Sequence, residues 1–416
     1  MGERGGDKQS RILLVLVLCQ FISALSALGL PPFFPLLLEK NFPSESLTLA
    51  AWAGLLYVVP NGLAACVSPF WGTLGDRYGK KRLLIRAQLG LACTFFLASW
   101  ARTPAQFFMA LTLQGILGGT FSASRAYLGT VLQGPELARA LTLMESAPRA
   151  ALVLAPGLIG VLLLKFSSLA FYRYLALLPL GVSVVTWYVM DDDRKKNAND
   201  ELRSPRRSLE SRMKSRNGLG SFRSLLLIQT LYSFTTVIIS PYFSQFIQNR
   251  FSQVSTPQAG ILFSIPHFIY LLISLPASRR LKELNPRWIF LVAYFFQAAS
   301  FVGQAQSFTL GNLIFWRVLM GFSMTVCFIG IHGMVTEATL ADDSGRLFGW
   351  LESGVRGGAL LAGGAASLLF SVGGAVAPFW WGAGTTFILC LREVYRDLQT
   401  KNKWGENRHV IGVEYE

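Results

Sequence analysis

Charged residues inside long apolar stretches are the groups in this sequence that could do chemistry. "LTLMESAPRAALVL", from Leu141, contains Glu145 and Arg149, and "GWLESGVRGGALL", from Gly349, contains Glu352 and Arg356. In both stretches the acid precedes the base by four positions, which is the favourable order for an ion pair on one helix. Two interpretations stay open: a structural pair that neutralises itself, or a pair that exchanges partners or takes up a proton at its glutamate.

Arg125 and His332 carry a different signal. Arg125 lies in "GTFSASRAYLGT" with no acid within a helical turn. An ionised side chain at the bilayer centre costs about 2.5 to 3.5 kcal/mol, so we expect Arg125 to meet an acid on another helix, such as Glu145, or an anionic substrate. His332 follows 207 positions later, at the corresponding depth, and its titration range suits proton coupling. A lone histidine in such a place is nevertheless more often structural.

The composition shows what must position these groups. Of 416 residues, 52% are hydrophobic and 15% are charged, and the mean hydropathy is +0.43, whereas soluble domains carry about 25% charged residues. We therefore predict an all-α membrane protein. Twelve apolar runs are long enough to cross a bilayer: 12–38, 49–71, 83–100, 106–131, 140–164, 170–190, 222–246, 259–277, 287–304, 308–334, 346–370 and 374–391.

The distribution of basic residues predicts the topology. Most lysines and arginines fall in alternate loops, which are cytoplasmic if the N-terminus is inside. Both termini are then cytoplasmic, and the net charge of +15 reflects topology and anionic lipid rather than a nucleic-acid partner. The predicted units are a cytoplasmic N-terminus (1–11), a first six-helix bundle (12–190), a charged cytoplasmic linker (191–220), a second six-helix bundle (221–391) and a cytoplasmic tail (392–416).

The two predicted bundles resemble each other in sequence. Glu145 and Arg149 match Glu352 and Arg356 at a constant offset of 207, which Arg139 and Arg346 share. Parallel repeats of this kind are typical of secondary transporters. We therefore expect two pseudo-symmetric halves.

The stretch "PFWGTLGDRYGKKRLL", residues 69–84, lies between the second and third spans. It resembles motif A of the major facilitator superfamily (MFS). The resemblance implies twelve helices in two bundles, around a cavity that opens alternately to each side, and a loop that latches the halves together in the outward-facing state. We expect the latch to dock near Gly345, at the start of span eleven. The motif positions are Gly72, Asp76, Arg77, Gly79, Lys80 and Lys81; for the lysines, a merely topogenic role is the alternative.

The second half departs from this pattern, because Ser278 and Lys282 stand where Gly72 and Asp76 would map. We therefore expect the latch to be one-sided.

Two further stretches resemble family motifs incompletely. "RVLMG", which begins at Arg317 in span ten, is similar to motif B, but the matching stretch of the first half has Leu111 in place of the arginine. This puts the family's usual proton-coupling route in doubt, and Arg125 is the candidate substitute. Arg317 itself joins Arg125, His332 and the two ion pairs as a candidate for proton coupling or substrate binding. "APGLIG", with Ala155, Pro156 and Gly160, is similar to motif C, which marks antiporters in the family.

Polar side chains within the spans are the candidates for lining a cavity, because an amide that faces hydrocarbon would lack a hydrogen-bond partner. They are Gln20, Asn61, Gln114, Tyr127 and Gln229. The five cysteines are scattered singly, and no His, Cys and carboxylate cluster has catalytic or metal-binding spacing. We expect no catalytic residues, no metal and no cofactor other than a proton gradient.

The sequence thus predicts a monomeric, multi-pass transporter of a bacterial inner membrane, whose partners are lipid, protons and a small-molecule substrate. The expected activity is export of a small polar, anionic or amphipathic molecule, such as a siderophore, metabolite or drug, by proton antiport. The alternative is proton-coupled import of a nutrient. A membrane enzyme or scaffold is a remote third possibility.

Overall fold

A computed structural model describes residues 2–30, 34–42, 46–165, 169–193, 222–339 and 343–411, which form helices and contain no β-strand. The first half comprises α1 (Gly2–Ala24), which continues as a π-helical turn (Leu25–Gly29), then α2 (Phe34–Asn41), α3 (Ser46–Tyr78), α4 (Lys80–Ser99), α5 (Pro104–Leu117), α6 (Thr120–Val131), α7 (Gly134–Lys165) and α8 (Phe171–Val189).

The second half repeats this order of long helices. It comprises α9 (Phe222–Val237), α10 (Phe243–Arg250), α11 (Thr256–Leu281), α12 (Pro286–Ala305), α13 (Leu310–Ala338), α14 (Ser344–Gly373), a 3₁₀ turn (Gly374–Val376) and α15 (Ala377–Ile411).

Several helix boundaries differ from the predicted spans. The fourth span, predicted as one run over 106–131, is two helices, because Gly118 and Gly119 interrupt it and Gly119 adopts a φ of 113° that only glycine takes without strain. The seventh span, predicted over 222–246, likewise divides into α9 and α10. The N-terminal segment 1–11 is helical from Gly2.

The predicted tail also differs, since α15 continues as far as Ile411. Residues 194–220 of the predicted linker and 412–416 of the tail lie outside the described residues.

Six helical stretches in the described ranges are long and apolar enough, taken by themselves, to cross a membrane. They are 80–99, 104–131, 258–281, 286–305, 310–338 and 344–396. The last stretch contains both α14 and α15, and 104–131 contains the broken span of α5 and α6.

Local sequence signals explain where helices begin. Thr103 accepts a hydrogen bond from the Gln106 backbone N–H, with Pro104 in the first turn of α5. Asn285 caps α12 in the same way, ahead of Pro286. These are standard caps, in which a side-chain oxygen satisfies an N–H that has no partner within the helix.

Apolar side chains form one core in each half and a third between them. Phe107 and Tyr172 belong to the core of the first half, and Phe246 and Phe379 to that of the second. The third cluster joins both halves. It brings α3 and α6 against α14, and α7 against α11 and α13. We call the contact of α3 and α6 with α14 the first seam, and the contact of α7 with α11 and α13 the second seam.

Candidate functional site

The motif A residues fasten the first seam. The Gly345 backbone N–H donates to Asp76 Oδ1 at 2.8 Å, and the Arg346 backbone N–H donates to Asp76 Oδ2 at 2.7 Å. Both donors lie in the first turn of α14, where backbone N–H groups lack partners within the helix and the helix dipole favours an anion. Lys80 Nζ lies 3.1 Å from Asp76 Oδ1. We call this the Asp76 latch, and its contact with Gly345 is where the sequence predicted it.

Close approach of α3 and α14 depends on glycine. A Cβ at Gly72 would collide with the Gly345 carbonyl, and one at Gly349 would lie 2.6 Å from the Ser68 carbonyl oxygen. Real Cβ atoms do not approach backbone atoms this closely. Helix packing therefore explains the glycine at position 72 of motif A. The gating role of the motif stays a prediction.

The remaining motif A residues hold the first half together at the same end. Gly79 separates α3 from α4 with a φ of 96°. The Lys80 backbone N–H donates to Asp193 Oδ2 at 2.8 Å, and Lys81 Nζ donates to the Trp187 carbonyl at 2.7 Å. Arg77 is exposed, with its guanidinium 5.4 Å from the ring centroid of Tyr78. Asp193 could not be recognised from sequence, because it belongs to a charged run that is typical of a linker.

Arg125 has the acidic partner that the sequence called for. Its Nη2 donates to Glu145 Oε2 at 2.7 Å, and its Nη1 lies 3.8 Å from Glu352 Oε2. Glu145 Oε1 accepts from Arg149 Nη2 at 2.8 Å, and Glu352 Oε1 accepts from Arg356 Nε at 2.8 Å. Both predicted i, i+4 pairs therefore form, and Arg125 joins them.

These five residues form a continuous set of charges between the halves, which we call the central ion chain: Arg149, Glu145, Arg125, Glu352 and Arg356. Glu145 and Glu352 are 6% and 5% exposed. Arg356 Nη1 also donates to Asn61 Oδ1, on α3, at 3.1 Å. The chain crosses the first seam, so a relative movement of the halves must rearrange its contacts.

His332 lies at the second seam rather than in the central ion chain. Its Nδ1 is 3.0 Å from Thr142 Oγ1. Tyr270 donates its hydroxyl to the Thr142 carbonyl at 2.8 Å. Helices α11 and α13 thus both bind Thr142 of α7. The sequence did not indicate these contacts, because Thr142 is a single hydroxyl among apolar residues. The predicted coupling role of His332 stays untested.

Arg317 lies apart from the charges with which the sequence grouped it. It is 1% exposed and donates from Nε to the Leu262 carbonyl at 3.0 Å and from Nη2 to the Phe263 carbonyl. Its guanidinium lies 4.4 Å from the ring centroid of Phe243, and no described carboxylate lies within 4 Å. These contacts are those of an arginine that ties α11 to α13.

The predicted cavity-lining residues divide into two groups. Asn61 and Gln114 line a cavity of about 70 Å³ beside Arg356, together with Ser23 and Ser26. We call this the α1 cavity.

Gln20 lies close by on α1 and donates to Ser124 Oγ at 3.0 Å. Tyr127 and Gln229 line neither the α1 cavity nor the larger cavity at the second seam. Tyr127 instead donates its hydroxyl to the Asp191 carbonyl at 3.2 Å.

A larger cavity, of about 710 Å³, lies between the halves at the second seam. It is lined by Ala138 and Arg139 of α7, by Ser278 of α11 and by Lys282, which follows α11 directly. In the internal repeat, Ser278 and Lys282 correspond to Gly72 and Asp76, and Ala138 and Arg139 correspond to Gly345 and Arg346. Lys282 offers no acceptor, and the Ala138 N–H lies a full turn inside α7, which begins at Gly134. The expectation of a one-sided latch thus agrees with the geometry.

Glu393 is a buried acid that the sequence placed in the cytoplasmic tail. It is 1% exposed and binds Arg287 at 2.9 Å and Arg392 at 2.6 Å. Ser224 Oγ of α9 donates to it at 3.3 Å. Arg287 lies at the start of α12 and Glu393 within α15, so this ion pair connects the two helices.

Motif C cannot be compared side chain by side chain. Helix α7 is continuous through Ala155, Pro156 and Gly160, and the side chains of these residues lie outside the described part of the chain. A search of the described residues for groups of three or more potential metal ligands finds none.

Comparison with known proteins identifies the family. The model of the Major Facilitator Superfamily matches residues 16–228 and again residues 225–409. Multidrug resistance protein MdtG of Klebsiella pneumoniae is 25% identical over 325 residues, 77% of this chain and 78% of that protein. MdtG of Escherichia coli O9:H4 is 24% identical over 346 residues, 82% and 84% of the two chains.

Solved structures share the fold. The human organic anion transporter MFSD10 (TETRAN) superposes with a TM-score of 0.74 at 19% identity, covering 92% of this chain and 99% of that one. The E. coli fucose:proton symporter FucP gives 0.74 at 13% identity, covering 93% and 98%. With two matches to the family model that together span most of its length, the chain belongs to the Major Facilitator Superfamily of membrane transporters.

Proposed function

We propose that this transporter exports a small amphipathic or polar molecule with an anionic group from the bacterial cytoplasm, in exchange for protons. The observation that carries the proposal is the central ion chain. Arg125 binds Glu145 of the first half at 2.7 Å and lies 3.8 Å from Glu352 of the second. An exchange of Arg125 between these two carboxylates would couple protonation to relative movement of the halves.

Glu352 is the better candidate for the proton carrier. Glu145 contacts two guanidinium groups, at 2.7 and 2.8 Å, whereas Glu352 contacts one at 2.8 Å and the second only at 3.8 Å. Protonation of Glu352 would release the longer, 3.8 Å contact and leave Arg125 wholly with Glu145.

The direction of transport rests on two further supports. The relatives at 24–25% identity are named multidrug resistance proteins, and "APGLIG", at 155–160, keeps part of the family's antiporter motif. Import by symport is the second candidate, because the fold is shared with a fucose:proton symporter. We propose an inner-membrane location, and the distribution of basic residues supports a cytoplasmic position for both termini.

Membrane vesicles of defined orientation test the direction. Everted vesicles with an acidic interior should accumulate anionic amphipathic dyes and antibiotics, and adding the transported compound should release internal protons, read with a pH-sensitive dye. Vesicles that carry Glu352→Gln should lose the proton release, with Glu393→Gln as the matched control. Accumulation by right-side-out vesicles under external acid, and not by everted ones, would establish import instead.

A further inference from the structure

The central ion chain is not electrically balanced. It contains three arginines and two glutamates, so it carries one excess positive charge when all five groups are ionised. The arginine side chains are 14% (Arg125), 15% (Arg149) and 18% (Arg356) exposed. No third described carboxylate lies within 4 Å of them. Burial of an uncompensated charge is unfavourable, so the excess calls for an anion.

The α1 cavity lies beside Arg356, at one end of the central ion chain. An anion bound there could compensate the excess positive charge. Arg356 forms part of its wall, and neither aspartate nor glutamate lines it. Phe121 also lines it, and the ring centroid of Phe121 lies 5.8 Å from the Arg356 guanidinium and 6.0 Å from that of Arg125. The cavity therefore combines positive charge with a wall that contributes no competing carboxylate.

Two serine hydroxyls, Ser23 at the end of α1 and Ser26 in the π-helical turn that follows, are hydrogen-bond donors that have no acceptor in the structure. Ser23 is 7% exposed, and its Oγ has no hydrogen-bond partner in the structure. Ser26 is 5% exposed, and its Oγ accepts from Gln114 Nε2, which leaves the Ser26 proton free to donate. A buried hydroxyl without a partner costs about 1 to 3 kcal/mol.

We propose that the α1 cavity binds a carboxylate group of the transported molecule, with Ser23 and Ser26 donating to its oxygens and Arg356 balancing its charge. A water occupies about 10 to 15 Å³ on the same scale, so about 70 Å³ has room for a carboxylate group, and the rest of the bound molecule, such as the ring of benzoate, lies outside the cavity. Because the serines belong to one half and Arg356 to the other, the bound molecule bridges both halves.

This inference rests on the proposed function only where it calls the ligand a substrate, and binding can be measured without transport. Purified full-length protein would be titrated calorimetrically with benzoate and with benzamide, which has the same shape without the charge. Benzoate should bind at least tenfold more tightly. Ser23→Ala and Ser26→Ala should each weaken benzoate about tenfold, since each removes a hydrogen bond to a charged group.

Ser274→Ala is the matched control, because Ser274 is also buried with an unpartnered Oγ but does not line the α1 cavity. It should leave the affinity for benzoate unchanged. Equal affinity for benzoate and benzamide, absence of benzoate binding, or equal losses in Ser274→Ala and Ser26→Ala would each overturn the assignment. Benzoate binding with the expected serine dependence, in a protein that exports nothing from vesicles, would refute the proposed function and leave the site standing.

Discussion

Removal of the Asp76 carboxylate should release the first seam. Asp76→Ala deletes two hydrogen bonds from backbone N–H groups to an ionised acceptor, at 2.8 and 2.7 Å. Hydrogen bonds to charged groups contribute about 1.5 to 3 kcal/mol each, so the pair is worth at least about 3 kcal/mol. That free energy shifts the equilibrium between latched and released forms by about a hundredfold. Asp76→Asn keeps one acceptor oxygen and should shift it by about half that free energy.

Distance measurements between spin labels at Thr73 and Trp350 would show the release. Both positions are exposed and flank the latch on α3 and α14. The exposed Cys66 and Cys93 would first be changed to serine, while the other cysteines are buried. The wild-type background should give mainly the short distance, and Asp76→Ala mainly a longer one.

The test is decided by the order of the label distances among the variants. The distance in Asp76→Asn should fall between those of the wild type and Asp76→Ala. Lys282→Ala, at the repeat-equivalent position just after α11, should leave the distance distribution unchanged. If Asp76→Ala keeps the short distance while the protein still melts cooperatively, the two backbone hydrogen bonds do not hold the seam, and the reasoning fails.

Three further changes have calculable effects. Gly72→Ala should abolish transport and lengthen the label distance, because its methyl group would collide with the Gly345 carbonyl; normal transport would contradict this packing. Arg125→Leu should destabilise the protein by about 1.5 to 3 kcal/mol, since it removes the 2.7 Å hydrogen bond from Arg125 to the ionised Glu145, and Arg125→Lys should restore part of the melting temperature. Asp193→Ala should cost about 1 kcal/mol through loss of the helix cap on Lys80, with exposed Asp192→Ala as its thermal-melting control.

Part of the site could be predicted from sequence because membrane burial makes ionised groups conspicuous. Glu145 and Arg149 form an ion pair as their spacing indicated, and Arg125 required an acid on another helix, which it has. The position of the Asp76 contact followed from the repeat and the family motif. In these cases one physical requirement, a partner for a buried charge, left few candidates.

The remaining contacts of the site depend on tertiary packing, which the spacing of residues in the sequence does not specify. Arg317 looked like a member of the same set of charges, yet backbone carbonyls of α11 surround it. Glu393 and Asp193 fell in charged runs that sequence assigned to solvent, although Glu393 is 1% exposed. Neither the bridging of Arg125 towards Glu352 nor the pairing of Thr142 with His332 can be read from one chain, because each depends on how the halves are placed against each other.

The uneven fastening of the two seams has a kinetic consequence. The first seam is held by a carboxylate on two backbone amides, while the second relies on neutral bonds from Tyr270 and His332 to Thr142. If both were fastened by a carboxylate, the activation free energies of release would add and the waiting time for one transport cycle would multiply. With a carboxylate latch on one seam only, we expect substitutions of Asp76 to change the turnover rate more than substitutions at the second seam.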